Sequence, residues 1–121
     1  MSKVTHQATV SHEEWMQEGL AIIVVGASGD LAKKKTFPSL LSLFADALLP
    51  SNVVIYGYAR SKMTDEQLHE KIRPYLTGKE HDTTVVEDFL TRCHYQPGSG
   101  YGDTDSWAEL NNKLTNWNSP A

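Results

Sequence analysis

The run Leu20-Ala21-Ile22-Ile23-Val24-Val25-Gly26-Ala27-Ser28-Gly29-Asp30-Leu31-Ala32 decides the fold class. Its first six residues are apolar without interruption and rich in β-branched side chains. Alternation would mark a half-exposed strand. A continuous run of this length predicts a strand buried on both faces, as in parallel sheets. Two glycines then fall where the strand would turn into a helix. Gly26 allows a backbone turn that a Cβ would obstruct, and Gly29 lets an anion approach main-chain N–H groups at the positive end of a helix.

The spacing departs from the dinucleotide fingerprint G-x-G-x-x-G/A, because Ser28 stands where its middle glycine would be. Read as G-x-x-G-x-x-A, the turn keeps Gly26, Gly29 and Ala32, the last as the small residue that packs helix on strand. The competing reading is a plain strand-to-helix turn. A buried strand before it and a helix after it favour nucleotide binding. A P-loop is excluded, since Lys33-Lys34-Lys35-Thr36 lies out of place for Gly-Lys-[Ser/Thr].

Outward from the turn, strand and helix alternate. Thr36 reads as a cap with Pro38 in the first turn, which predicts a break near Thr36. Leu40, Leu41, Phe44 and Leu48 recur at helical spacing up to Leu49-Pro50-Ser51-Asn52. Val53 to Tyr58 is a second strand, completing a βαβ unit. Thr64 and Gln67 have capping-box spacing ahead of a helix with Leu68, Ile72, Tyr75 and Leu76 on its face, ending by Gly78. Thr84 and Glu87 repeat that spacing ahead of Val85, Val86, Phe89, Leu90 and Cys93. Cys93 to Gln96 is a short third strand. A last helix begins near Asp103 or Thr104 and carries Trp107, Leu110 and Leu114. The expected fold is α/β, a Rossmann-like parallel sheet comprising the first βαβαβ half. Residues 1–19 read as an amino-terminal extension, with a short helix through Trp15 and Met16, and residues 20–121 as a partial dinucleotide-binding domain.

The composition agrees with one small globular unit. The chain has 121 residues, 40% of them apolar, and a net charge of −4. An acidic chain lacks the electrostatic footprint of a general nucleic-acid binder. Its longest apolar run is far short of the roughly 20 residues that span a membrane. Residues 1–19 show no basic start followed by an apolar stretch, so no secretory signal is visible. The single cysteine, Cys93, excludes an intrachain disulfide, fits a reducing compartment and reads as a small core residue. A cytoplasmic location follows as the expectation, with an organellar pool left open.

The end of the second strand speaks to cofactor type. NAD-selective folds place an acid there for the ribose hydroxyls, and NADP-selective folds offer a cation to the 2′-phosphate. Tyr58-Ala59-Arg60-Ser61 has no acid and supplies Arg60, whose planar fork suits a phosphate. Ser61 offers a further hydroxyl. In the turn itself, Ser28 is a hydroxyl donor toward phosphate, and Asp30 complements the helix dipole. Lys33, Lys34 and Lys35 lie within about one turn and point in different directions. The five histidines, His6, His12, His69, His81 and His94, show no i, i+4 metal spacing. No metal site and no catalytic acid or base is assigned.

Two stretches carry a resemblance to a known family. Gly-Ala-Ser-Gly-Asp-Leu-Ala-Lys-Lys-Lys-Thr-Phe-Pro-Ser-Leu (Gly26 to Leu40) and Gly-Tyr-Ala-Arg-Ser-Lys-Met-Thr (Gly57 to Thr64) resemble the amino-terminal part of glucose-6-phosphate dehydrogenase. The resemblance runs from about Ile22 to Leu114. It implies an NADP-linked oxidoreductase that oxidises glucose 6-phosphate at C1 to 6-phosphogluconolactone, in the pentose phosphate pathway of carbohydrate metabolism. It implies that Gly26, Ala27, Ser28, Gly29, Asp30, Leu31, Ala32 and Lys33 form the cofactor loop, that Arg60 holds the 2′-phosphate, and that Lys35 lies near the coenzyme and the substrate phosphate. The family's Glu-Lys-Pro and Arg-Ile-Asp-His-Tyr-Leu-Gly-Lys motifs, the latter with the general-base histidine, do not occur in this sequence.

The stretch therefore reads as an amino-terminal fragment without the catalytic and substrate domain, inactive by itself. Glucose 6-phosphate binding would need that missing domain. The full-length enzyme is expected to be a homo-oligomer, binding neither nucleic acid nor membrane. In the Rossmann order 3-2-1-4-5-6 the first strand is central, so with three strands Leu20–Val25 becomes an exposed edge that favours association. The alternatives are another NADP-dependent reductase and a stand-alone NADP-binding regulatory module without catalysis.

Overall fold

The computed structural model describes residues 19–77, 80–100 and 102–117. The expected helix through Trp15 and Met16, and the stop at Gly78, lie outside them. Strands β1 (Leu20–Val25), β2 (Val53–Ala59) and β3 (Cys93–Pro97) form a parallel sheet in the order β1-β2-β3. Leu20 pairs with Val53 and Val25 with Tyr58, while Ile55 pairs with Cys93. Among the described residues the α-helices are α1 (Phe37–Ala45), α2 (Asp65–Leu76), α3 (Thr83–Thr91) and α4 (Thr104–Trp117). This is the Rossmann-like half that the alternation predicts.

The main core lies on one face of the sheet. Leu20, Ile22 and Val24 of β1 and Val53, Ile55 and Ala59 of β2 meet Phe37 and Leu41 of α1 there. Leu68, Ile72 and Leu76 of α2 and Val86, Phe89 and Leu90 of α3 complete it. Burial of each large side chain contributes roughly 1.5–3 kcal/mol. On the opposite face Val54 and Tyr56 pack under Trp107, Leu110 and Leu114 of α4. The Tyr58 ring stacks on Trp107 at 4.3 Å, and its hydroxyl bonds Ser106 Oγ at 2.7 Å. Cys93 is fully buried, and desolvation raises its thiol pKa, as befits a core residue.

Both apolar strands read alike in sequence, yet they differ here. Every residue of β2 is buried. In β1, Ala21, Ile23 and Val25 are exposed, so the expected burial on both faces is corrected. Among the described residues α4 covers β2, and the outward face of β1 is the more open, with Ile23 38% and Val25 53% exposed.

Local signals fare unevenly. The Thr64–Gln67 capping box forms as spaced, with bonds of 2.9 and 3.2 Å. Asp103 caps α4 by accepting from Ser106 N–H at 3.1 Å. The N–H groups of Ser99 and then Ser106 hold its carboxyl below the usual aspartate range. The expected box at Thr84 and Glu87 does not form. Asp82 precedes the helix instead, and Glu87 pairs with Arg73 through two bonds of 3.0 Å. A bidentate guanidinium partner outcompetes a single reach back to the helix start. Tyr75 is exposed rather than facing the core, and Leu48 lies outside the helix. Helix α1 ends when Ala47 takes a left-handed φ of 58° and Leu48 N–H bonds the Leu43 carbonyl at 2.9 Å.

Thr36 is no cap. It sits inside a continuous helix over residues 30–45 whose stretch Ala32–Thr36 is a π-turn, closed by Phe37 N–H on the Ala32 carbonyl. The break expected near Thr36 is thus a widened turn.

Candidate functional site

The site is assembled where β1 and β2 end side by side. Gly26 N–H donates to the Tyr58 carbonyl at 2.8 Å, and Ala27 N–H reaches the same oxygen at 3.3 Å. These bonds tie the turn to the tip of β2. Gly26 has a φ of 77°, a left-handed conformation that favours glycine. A Cβ built there would meet nothing within 4 Å, and one at Gly29 would meet only the Gly26 carbonyl at 3.4 Å. The space over the turn is open and lined by backbone, which fits an approaching phosphate.

Gly29 N–H is used by the Gly26 carbonyl at 3.0 Å, and the first helical bond runs from Lys33 N–H to the Gly29 carbonyl at 3.3 Å. The N–H groups of Asp30, Leu31 and Ala32 therefore precede the first helical hydrogen bond, as donors at the positive helix end. Ala27 and Ala32 are buried, so they contribute packing and backbone, whereas Leu31 is 73% exposed. Ser28 is half-buried beside them.

Gly57 carries a constraint that the sequence signals only weakly. A Cβ on this β2 residue would stand 2.7 Å from the Ala27 Cβ. A glycine is therefore needed for the turn to lie against the strand. Its signal was a lone glycine inside an apolar strand pattern.

The charged residues divide. Asp30 holds Lys33 at 3.3 Å and Lys34 at 3.8 Å, and Lys33 Nζ lies 5.9 Å from the Tyr75 ring centroid. Lys35 is exposed and pairs with no carboxylate among the described residues. Arg60 is exposed just beyond β2. The backbone on both sides of it is fixed: the Ala59 carbonyl accepts from Gly98 N–H at 2.8 Å, and the Ser61 carbonyl accepts from the Tyr95 hydroxyl. No described acid pairs with Arg60. The structure thus brings Gly26 to Lys33 and the Arg60 segment to one end of the sheet.

The family model for the glucose-6-phosphate dehydrogenase NAD binding domain matches residues 23–120. This chain belongs to the glucose-6-phosphate dehydrogenase family. A chloroplastic glucose-6-phosphate 1-dehydrogenase of Arabidopsis thaliana is 45% identical over 112 residues, covering 89% of this chain and 19% of the relative. The cytoplasmic isoform of Solanum tuberosum is 48% identical over 98 residues, covering 79% of this chain and 19% of the relative. A solved glucose-6-phosphate dehydrogenase in complex with its substrate glucose-6-phosphate superposes with a TM-score of 0.77 at 38% identity. That match covers 84% of this chain and 21% of the solved one. The chain thus spans about a fifth of the length of these relatives. It is the cofactor-binding portion of a dehydrogenase of this family.

Proposed function

We propose that this chain is the NADP-binding part of an enzyme that oxidises glucose 6-phosphate at C1, the reaction opening the oxidative pentose phosphate pathway in the cytoplasm. One observation carries the choice of NADP. The Gly26 turn is bonded to the tip of β2, and the residue just past that tip is Arg60, with no acid beside it.

NADP, when bound, supplies the hydride acceptor. The N–H groups of Asp30, Leu31 and Ala32 face its pyrophosphate, with the Ser28 hydroxyl beside them and Lys33 adding charge from its place on Asp30. Gly26, Ala27 and Gly29 hold the turn open for it. Arg60 donates to the 2′-phosphate, which separates NADP from NAD. Lys35 serves the substrate phosphate and the coenzyme. Removal of the C1 hydroxyl proton needs a base, and none of these residues is assigned that role.

Titration of the protein with both dinucleotides tests the assignment. Arg60→Ala should weaken NADP roughly ten- to a hundredfold, the worth of charge-assisted hydrogen bonds, and change NAD little. Equal losses for the two cofactors would overturn it.

A further inference from the structure

Tyr58 serves two neighbours in different directions. Its carbonyl, toward β1, accepts from Gly26 N–H at 2.8 Å and Ala27 N–H at 3.3 Å, and so holds the glycine turn. Its side chain, toward α4, is buried and stacks on Trp107. The hydroxyl donates to the Gly100 carbonyl at 3.0 Å, accepts from Gly100 N–H at 3.3 Å and lies 2.7 Å from Ser106 Oγ. The Gly100 carbonyl accepts from Trp107 Nε1 as well, at 3.0 Å. Packing explains the ring. It does not explain the hydroxyl, since a phenylalanine would fill the same stack with no buried polar atom to satisfy.

The chain after β3 is shaped around that side chain. Pro97 pairs with Ala59 at the end of the ladder and brings no N–H. Gly98 N–H supplies the closing bond, to the Ala59 carbonyl at 2.8 Å. A Cβ on Gly98 would stand 2.2 Å from the Tyr58 hydroxyl oxygen and 2.4 Å from ring atoms Cε1 and Cζ. Only a glycine lets the backbone cross so close to the ring. Asp103 then ties the loop to α4, accepting from Ser99 N–H at 3.0 Å and Ser106 N–H at 3.1 Å. The hydroxyl is therefore held by a fixed frame, and the same residue's carbonyl holds the turn. Strand ends fray first, and Tyr58 stands one residue from the end of β2.

We infer that Tyr58 is a positioning residue of the cofactor site: its hydroxyl, gripped by the loop after β3 and the start of α4, steadies the tip of β2 so that its carbonyl is a fixed anchor for the Gly26 turn. This rests on the dinucleotide reading of that turn. Tyr58 acts through the Gly26 and Ala27 amides and not by contact with the dinucleotide.

Tyr58→Phe keeps the ring, the stack and the carbonyl and removes the hydroxyl alone. In the chain without ligand, amide exchange of Gly26 and Ala27 should speed up about tenfold, together with that of Gly100. Faster exchange at Gly100 and in α4, with Gly26 and Ala27 unchanged, would overturn the inference, because the hydroxyl would then serve only to dock α4. Titrations with NADP and NAD, at a temperature where parent and variant are both folded, should weaken by one common factor of about three to ten, since both dinucleotides carry the pyrophosphate. Unchanged affinity for both would overturn the inference. A loss confined to NADP would do so too, by moving the effect to Arg60. If Tyr58→Phe does not fold, Ser106→Ala decides: it removes the 2.7 Å partner, leaves the tyrosine in place and should speed Gly26 and Ala27 exchange about threefold. Unchanged exchange there overturns the inference. Gly29→Val separates it from the reading beneath. If that variant binds NADP as the parent does, or the parent binds neither dinucleotide, the phosphate site is misplaced and both fall. If Gly29→Val abolishes binding while Tyr58→Phe changes nothing, the reading stands and the inference alone fails.

Discussion

Along the outer edge of β3, Asp65 Oδ1 accepts from Tyr95 N–H at 2.9 Å, and His69 Nε2 donates to the Cys93 carbonyl at 2.7 Å. Asp65 Oδ2 also accepts from His94 Nδ1 at 2.8 Å. Helix α2 thus closes the backbone of that strand with two of its own side chains. Along β1, no side-chain hydrogen bond described here reaches residues 20–25, and Ile23 and Val25 are 38% and 53% exposed. Unpaired strand groups are a template for further pairing, and proteins blunt the edges they mean to keep. β3 is built as a boundary. β1 has the composition of an interior strand while standing at the edge of the described sheet. The chain spans about a fifth of the length of its relatives.

The difference can be broken from either side. Asp65→Ala should have the largest effect, because it strands the Tyr95 N–H and the His94 ring together. We expect a loss of about 2 kcal/mol in urea unfolding, with faster exchange of the Tyr95 amide. An unchanged midpoint and unchanged exchange would mean that the β3 edge is closed by other means. His69→Ala removes one bond to one carbonyl and should cost about 1 kcal/mol. Because both side chains act on the same strand, the double variant should lose less or more than the sum, and strict additivity would argue for two independent contacts. Ile23→Lys on the outward face of β1 should change stability least, by about 0.5–1 kcal/mol, because this face is the more open one. Sedimentation should show weaker self-association for this variant. Marked destabilisation would show that this face is already covered.

Much of this contrast was hidden in the sequence. Asp65 and His69 each read as ordinary residues of an amphipathic helix. Their role depends on β3 lying later in the chain, at separations of 24 residues for His69–Cys93 and 30 for Asp65–Tyr95. Asp65 and His94 form a pair that no spacing rule connects. The phosphate turn was legible because its determinants are neighbours: an apolar run, Gly26, Gly29 and Ala32 in one segment. Gly57 was less so, since its need for a missing Cβ arises from Ala27 across the sheet. The end of α1 carries no local mark, because Ala47 adopts the conformation for which glycine is the usual signal.

By itself the sequence determined the order of strands and helices, the glycine turn with Arg60 beyond the next strand, the cap at Thr64 and a last helix starting near Asp103 or Thr104. Each of these rests on side chains acting within a few residues of themselves, where periodicity and hydrogen-bond reach suffice. Only the tertiary structure decided that β2 is buried on both faces and β1 on one, that Glu87 serves Arg73 rather than a cap, and that the helix after the turn widens. Those outcomes depend on which distant groups share a surface. A core that demands both Ala32 and Phe37 overrides the regular period of the helix, because leaving a phenylalanine outside costs more than one imperfect turn.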